Sequence, residues 1–486
     1  MTSVPNLRQP SNGNKNRILL LLLLLLPLLH ACELFKPATG TSHKPGKEEE
    51  LGDLQGPVKI NPETGEFERV TSMTEPMDTA HWTVNSTEKY PPITSETTAE
   101  GSDNANAHNL NGEVQYLTLL LPFLSQQFSY ADTEIPKGSE RALQYYAGVK
   151  LALQDLQKDS TQLDLTVLDT KYSEEEVKHL LSFEPAVQQA DLLIGTYRSA
   201  NARLVADYAL KNSKPFVSPF SGSSSISTDN PQYIQVNPTF RTHCDAITRY
   251  LMQRYTPDQI ILVVPNKPKE IERLAVFQEL RKRYLSEGDT SRFKELIISD
   301  ETLDLKETNL TEQLLADRPT VFVVPSWSNE TFVYAFLRKL KVASQNFAEV
   351  LVFGMPQWME YERADFELYE NLHVHLTSNY YIDPYNPNIR LFKQRFFQEF
   401  SMLPRKEAYY GYCTTLYFCR LLEKYGRGFP PHLPDEDWTN LYTSYHFRPV
   451  FEQQTTGMET AAKIQRYENS FVHILEFRDY YFQPAQ

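Results

Sequence analysis

Two short polar loops hold the residue types from which a binding site could be built. The first, around Arg198, Ser199 and Ala200, follows the apolar run 191–195 and opens a stretch, 199–210, with apolar positions at helical spacing. The second, Ser221, Gly222 and Ser223 within the small-residue run 221–228, follows the short apolar strand signal 215–218. In a parallel sheet the loops after strand ends gather at the carboxyl edge, where the backbone approaches a ligand closely. These two loops are therefore the candidate ligand site; a solvated turn is the plainer account of 221–225. Trp327 and Trp358 each follow a further predicted strand, so either ring could close over a ligand or serve as ordinary packing.

Covalent and metal chemistry find little support. No P-loop, Gly-x-Ser-x-Gly or His-Glu-x-x-His pattern occurs. His373 and His375 alternate along a predicted strand and would face one side, but no second pair of ligands lies near, which favours an ordinary strand pair over zinc. Glu174, Glu175 and Glu176 read as an exposed first helical turn whose charge suits the helix dipole. Cys413 and Cys419 lie six apart on one predicted helix, so their side chains diverge, and with Cys244 they are expected to be buried free thiols. The chain is thus read as a non-enzyme, with no metal and no cofactor. Its net charge of -14 and the lack of a basic aromatic stripe argue against a nucleic-acid partner.

The elements that must position the loops alternate strand and helix. Residues 114–121 and 163–169 read as strands, 139–156 and 174–190 as helices, and the central stretch adds two more βα steps before a helix at 239–255. The same grammar restarts with strands at 259–264, 293–298, 320–324, 350–354 and 372–377, and helices at 270–285, 310–316 and 329–342. Two helices, 389–400 and 408–424, and short antiparallel strands in 447–453 and 463–482, turning at Glu468 and Asn469, complete the chain. The expected architecture is α/β: two doubly wound Rossmann-like lobes, 113–256 and 257–377, each completed by segments of 378–486 and joined by a multi-strand hinge. A hinge with several crossings places a cleft between lobes. Tyr380 and Tyr381 fall at one crossover, fit for hinge or contact.

The amino-terminal segment indicates where such a body works. Lys15 and Arg17 precede an apolar run from Ile18 to Leu29, too short for a durable membrane span and fit for a secretion signal. Leu29-His30-Ala31-Cys32 resembles the bacterial lipobox, which implies a signal peptide of 1–31, lipidation at Cys32 and membrane attachment through that lipid, facing the periplasm. An ordinary signal peptide cut near a chance cysteine is the alternative. Glu33 is compatible with either the inner or the outer membrane. Residues 32–112 are rich in Thr, Ser, Glu, Pro and Asn without apolar periodicity, and read as a disordered tether rather than a small extra domain.

Residues 113–486 resemble a type I periplasmic binding protein of the leucine/isoleucine/valine-binding kind. The likeness rests on DLLIGTYRSANARLVADYA, on KPFVSPFSGSSSIS followed by PQYIQVNPTFR, and on FKQRFFQEFSMLPRKEAYYGYCTTLYFCRLLEK. It implies a receptor that closes on a small polar ligand, an amino acid or amide, and delivers it to an ABC permease. It further implies that the loop before Ser199 and the loop from Ser221 to Ser223 hold the ligand's carboxylate and ammonium groups. Backbone N–H groups of Ser199 and Ala200 at a helix start would favour the carboxylate, and groups around Ser221 and Ser223 would accept from the ammonium. The chain departs from the family after residue 353, where no carboxylate occurs until Glu360. A fold relative acting as an envelope scaffold or regulator, contacting a protein of cell-wall synthesis, is the alternative. A cleft filled by Phe123, Tyr130 or Trp358 would favour it.

Overall fold

The computed structural model describes residues 114–129, 134–158, 162–299, 305–362, 365–451 and 463–485, and the backbone of 58–60 and 67–69. Two compact units are distinguished, 1–101 and 102–486. In the first, β1 (Val58–Ile60) and β2 (Phe67–Arg69) pair antiparallel, a paired element within the stretch expected to be a tether. The signal segment and Cys32 lie outside the described residues.

The second unit holds two seven-stranded sheets. The chain first lays down β3 (Gln115–Leu121), α1 (Glu140–Lys158), β4 (Leu163–Asp169), α2 (Glu174–Phe183), α3 (Pro185–Gln189), β5 (Leu192–Gly195), α4 (Ser199–Lys211), β6 (Phe216–Ser218) and β7 (Tyr233–Gln235). It then forms α5 (Phe240–Met252), β8 (Ile260–Pro265), α6 (Pro268–Leu280), β9 (Lys294–Ile298), β10 (Thr320–Val323), α7 (Glu330–Ala343), β11 (Val350–Gly354), α8 (Phe366–Asn371) and β12 (Val374–Ser378). The last part comprises α9 (Pro387–Phe400), α10 (Lys406–Tyr425), a small pair β13 (Trp438–Thr439) and β14 (Ser444–Tyr445), then β15 (Phe447–Phe451), β16 (Ile464–Asn469), β17 (His473–Arg478) and β18 (Tyr481–Pro484). Lobe 1 has strand order β15-β16-β7-β6-β5-β3-β4, and lobe 2 has β18-β17-β12-β11-β10-β8-β9. Strands β16-β7-β6-β5-β3-β4 and β12-β11-β10-β8-β9 pair in parallel, and central ones such as β5 and β8 read as continuous apolar runs because helices cover both faces. Ile260 to Pro265 of β8 is buried at every position.

Among the described residues the chain crosses between lobes three times: at Asn237–Thr239, after Ser378, and at Ser470–Val472. The last crossing replaces the expected hairpin at Glu468 and Asn469. β16 ends in the lobe 1 sheet beside β7, and β17 begins in the lobe 2 sheet beside β12. The first crossing falls earlier than the boundary expected near 256, because Cys244, Ile247 and Leu251 of α5 are buried in the core of lobe 2. Two other differences are local. Residues 310–316 form only a single 3-10 turn, since the N–H of Leu315 is taken by Thr320 Oγ1 at 2.9 Å instead of by a helical carbonyl. β7, three residues long, is too short to show a period in sequence.

Side chains hold the crossings together. Asn379 donates to Asn237 Oδ1 at 2.9 Å, tying the second crossing to the first. Glu468, 4 % exposed at the end of β16, accepts from the Thr239 N–H at 2.8 Å and from the Thr242 hydroxyl at 2.5 Å, so a lobe 1 carboxylate caps a lobe 2 helix. Its other oxygen accepts from Arg466 at 2.7 Å.

Helices α1 and α10 pack face to face on lobe 1. Gly148 and Gly411 make this possible, since a Cβ on Gly148 would strike the Ala408 carbonyl oxygen and one on Gly411 the Tyr145 carbonyl oxygen. Cys413 and Cys419 lie in the core beneath, and Cys244 in that of lobe 2; all three are buried free thiols. Among the described residues no helix is long and apolar enough to cross a membrane. In an exposed helix Gly→Ala stabilises by about 1 kcal/mol. Here the obstacle is backbone, so Gly148→Ala is expected to destabilise by about 1–3 kcal/mol, measured as a lower urea midpoint at unchanged m-value.

Candidate functional site

The carboxyl ends of both sheets face a cleft of about 590 Å³, lined by residues of lobe 1, lobe 2 and the crossings. On the lobe 1 side, Tyr197, in the turn between β5 and α4, stacks on Phe220 after β6, with centroids 3.7 Å apart and planes 13° apart. Tyr145 of α1 meets the edge of Phe220 at 5.0 Å. The turn starts from Gly195, whose φ of 147° and tight approach to the Leu120 carbonyl leave no room for a side chain.

On the lobe 2 side, Trp327 after β10 packs edge-on against two residues of α5, Phe240 at 6.2 Å and His243 at 5.6 Å. Arg273 of α6 lies over the Phe240 ring and is held by Glu270 at 2.7 Å and the Pro325 carbonyl at 2.9 Å. His243 is 2 % exposed, and burial drives its imidazole pKa down to about 3, so the ring is neutral.

An ion pair spans the cleft. Lys406, the first residue of α10, places its ammonium 2.5 Å from Glu360, which follows β11 in lobe 2, with the Tyr380 ring 5.5 Å away. Burial alone would push the Lys406 ammonium down, but the hydrogen bond it donates to Glu360, with Tyr380 and Glu407 nearby, holds it above its usual value. Burial would likewise raise Glu360, and the contact with Lys406 outweighs it, so its carboxyl is lowered. Glu407 next along is buried, 3.7 Å from the mostly exposed Arg141.

The structure brings some of the sequence-derived candidates into this cleft and leaves others outside it. Gly222 and Trp327 line it. Ser199 and Ser221 meet, hydroxyl to hydroxyl, at 3.2 Å, which joins the two loops named from sequence. Ser223 instead folds onto its own loop, bonding Ser225 Oγ at 3.0 Å. Arg198 caps the start of α4 without a side-chain cap bond and turns to the Tyr172 carbonyl at 2.7 Å; Ala200 is partly covered in the first turn of α4. Trp358 does not close over the cleft. It is fully buried in the core of lobe 2, its Nε1 donating to the Ser326 carbonyl at 2.9 Å, and its ring fills the space a Gly354 side chain would need. Sequence reasoning missed Tyr197, Phe220, His243, Lys406 and Glu407. Tyr197 and Phe220 stand beside quoted loop residues. The others come from helices, where only the fold shows which face meets the cleft.

His373 precedes β12, and the His375 ring is buried with Nδ1 2.7 Å from the His373 carbonyl oxygen. Among the described residues no group of His, Cys, Asp and Glu could hold a metal ion.

Two α/β lobes, three crossings and a cleft at their carboxyl edges define a two-lobed binding protein. The profile of the family described as Receptor family ligand binding region matches residues 144–407, more than half of the chain, and the protein belongs to that family. Solved structures share its fold, that of type I periplasmic binding proteins. A putative branched-chain amino acid ABC transporter protein from Rhodospirillum rubrum is 11% identical over 77% of this chain and 100% of that one, with TM-score 0.54. A branched-chain amino acid ABC transporter periplasmic ligand-binding protein from Burkholderia xenovorans is 13% identical over 76% and 94%, with TM-score 0.52. An ABC transporter substrate-binding protein from Desulfitobacterium hafniense, in complex with Leu, is 14% identical over 77% and 100%, with TM-score 0.50. A search of curated proteins finds no match.

Two outcomes follow from the site's packing. Trp358→Ala removes a fully buried ring and is expected to cost about 3–5 kcal/mol, whereas Trp327→Ala, at the cleft wall, costs about 1 kcal/mol; urea unfolding separates them. The second concerns pH. The folded-state pKa of His243 lies below its unfolded value of about 6.5, so its neutral burial stabilises fully above that pH and loses its effect as pH falls toward about 3. His243→Phe should therefore gain on the wild type by up to about 1.4 kcal/mol per pH unit below pH 6, read from unfolding midpoints between pH 7 and pH 4.

Proposed function

We propose that the protein is a lipid-anchored solute-binding protein of the bacterial envelope. In this reading Cys32 carries the lipid, the folded body faces the periplasm, and the two lobes close on a small polar ligand of the amino-acid or amide class for an ABC-type permease. The observation that carries it is the cleft itself, which has molecule-sized volume and polar and aromatic groups from both lobes. Phe123 does not block it, since that ring packs on Tyr146 at 5.9 Å, and Trp358 is withdrawn into the core. Tyr130 lies outside the described residues. Ser199, Ser221 and Gly222 at the joined loops, with Trp327 opposite, are the proposed contacts among the sequence candidates; Arg198, Ala200 and Ser223 frame the loops.

One observation favours a second reading, an envelope scaffold or regulator that binds a protein partner. The Lys406–Glu360 pair is a direct side-chain link between the lobes. The two readings diverge in solution scattering of the full chain combined with a thermal-shift screen of amino acids and amides at millimolar concentration. A receptor shows a raised melting temperature with one solute class, by mass action, and a smaller radius of gyration in the same sample. A scaffold ignores every solute and expands only when Glu360→Gln breaks the link, an outcome that would set the receptor aside for that panel.

A further inference from the structure

Two polar groups on the cleft, one from each lobe, have no hydrogen-bond partner. The Tyr197 hydroxyl is buried and unbonded, although its ring is fixed by the stack on Phe220. His243 Nδ1 is likewise buried and unbonded, although its ring is fixed against Trp327. A buried polar atom left unpaired costs about 1–3 kcal/mol, and among the described residues with such an atom Tyr197 and His243 are the two that also line the cleft. Here both rings are held rigidly in the cleft wall while their buried polar atoms lack partners, an arrangement that a ligand entering between the lobes could complete.

We propose that Tyr197 and His243 are the groups through which the cleft reads its ligand, and that the part of the ligand they hold is an uncharged hydrogen-bonding group such as a carboxamide. The inference rests on the solute-binding reading and narrows it. The charged side chains around the cleft already face opposite charges of their own: Lys406 with Glu360, Arg273 with Glu270, and Arg141 with Glu407. An ionic ligand group would compete with these pairs, whereas an uncharged one would not. The chemistry of the two readers agrees. A phenol both donates and accepts, and a neutral imidazole offers one of each, which matches the N–H and C=O of an amide. Neither supplies a countercharge, since burial holds His243 neutral and raises the Tyr197 phenol pKa. Phe220 and Trp327 beside them suit an apolar body on the same molecule.

The test uses the full chain with benzamide and isobutyramide as uncharged probes, and benzoate, benzylamine, L-phenylalanine and L-valine as charged ones, at millimolar concentration. The expected result is a thermal shift with the amides alone, with affinity reduced on the order of tenfold by Tyr197→Phe and similarly by His243→Phe. Tyr197→Phe removes one atom without changing shape, so the ligand-free variant should melt at or above the wild-type temperature. A lower melting temperature for ligand-free Tyr197→Phe would show that the hydroxyl is structural and overturn the assignment. A charged probe that binds wild type and both variants alike also overturns it, while leaving the receptor reading in place. Silence from every probe counts against both.

Discussion

The cleft exists because three separate passages of chain are pinned along one seam. Asn379 reaches Asn237, and Glu468 reaches Thr239 and Thr242, so each later crossing is tied to the first. The Glu468 carboxylate is nearly out of solvent, where an isolated charge would be costly. It is compensated by Arg466, by a backbone N–H and by the positive end of α5. Because that helix packs into lobe 2 while the carboxylate belongs to lobe 1, the cap serves as a mechanical joint. Relative motion of the lobes must turn about these bonds, and the loops at the strand ends face each other across whatever angle the joint allows.

Within that frame the two sides of the cleft are built differently. Lobe 1 presents a stacked aromatic floor anchored to α1, which is itself locked to α10 by glycine-mediated contact of backbones. Lobe 2 presents Trp327 and α5, whose contacts are edge-on rings. Lys406 starts α10 and so extends the rigid pair toward Glu360 in the other lobe. The ion pair is therefore attached to the stiffest part of lobe 1, which keeps its reach fixed.

Most of the fold was legible in the sequence because parallel, doubly covered strands leave runs such as Ile260 to Val264 and Leu192 to Ile194 that few other structures produce. What failed was positional. Helix α5 reads the same whichever lobe it joins, and only the burial of Cys244 and Ile247 shows that it belongs to the second. β16 and β17 alternate like a hairpin, yet three residues carry the chain from one sheet to the other. For the site, the strand-end loops were found by grammar, and Ser199 does meet Ser221. Trp358 misled because a tryptophan after a strand looks alike whether its ring turns outward or, as here, down onto Gly354. His243 and Glu407 were invisible, since a helix shows its period in sequence but not the neighbour that each face will meet.

The three thiols add a property of a different kind. Cys244 belongs to the core of one lobe, and Cys413 and Cys419 to that of the other, all unpaired and with burial raising their pKa values. A thiol reacts as its thiolate, so none is available to an oxidant while its core stays shut. Each lobe thus carries its own tell-tale. The order in which these sulfurs become labelled records which half of the molecule opens first, and a chain maturing in an oxidising compartment must close both halves before its cysteines find one another.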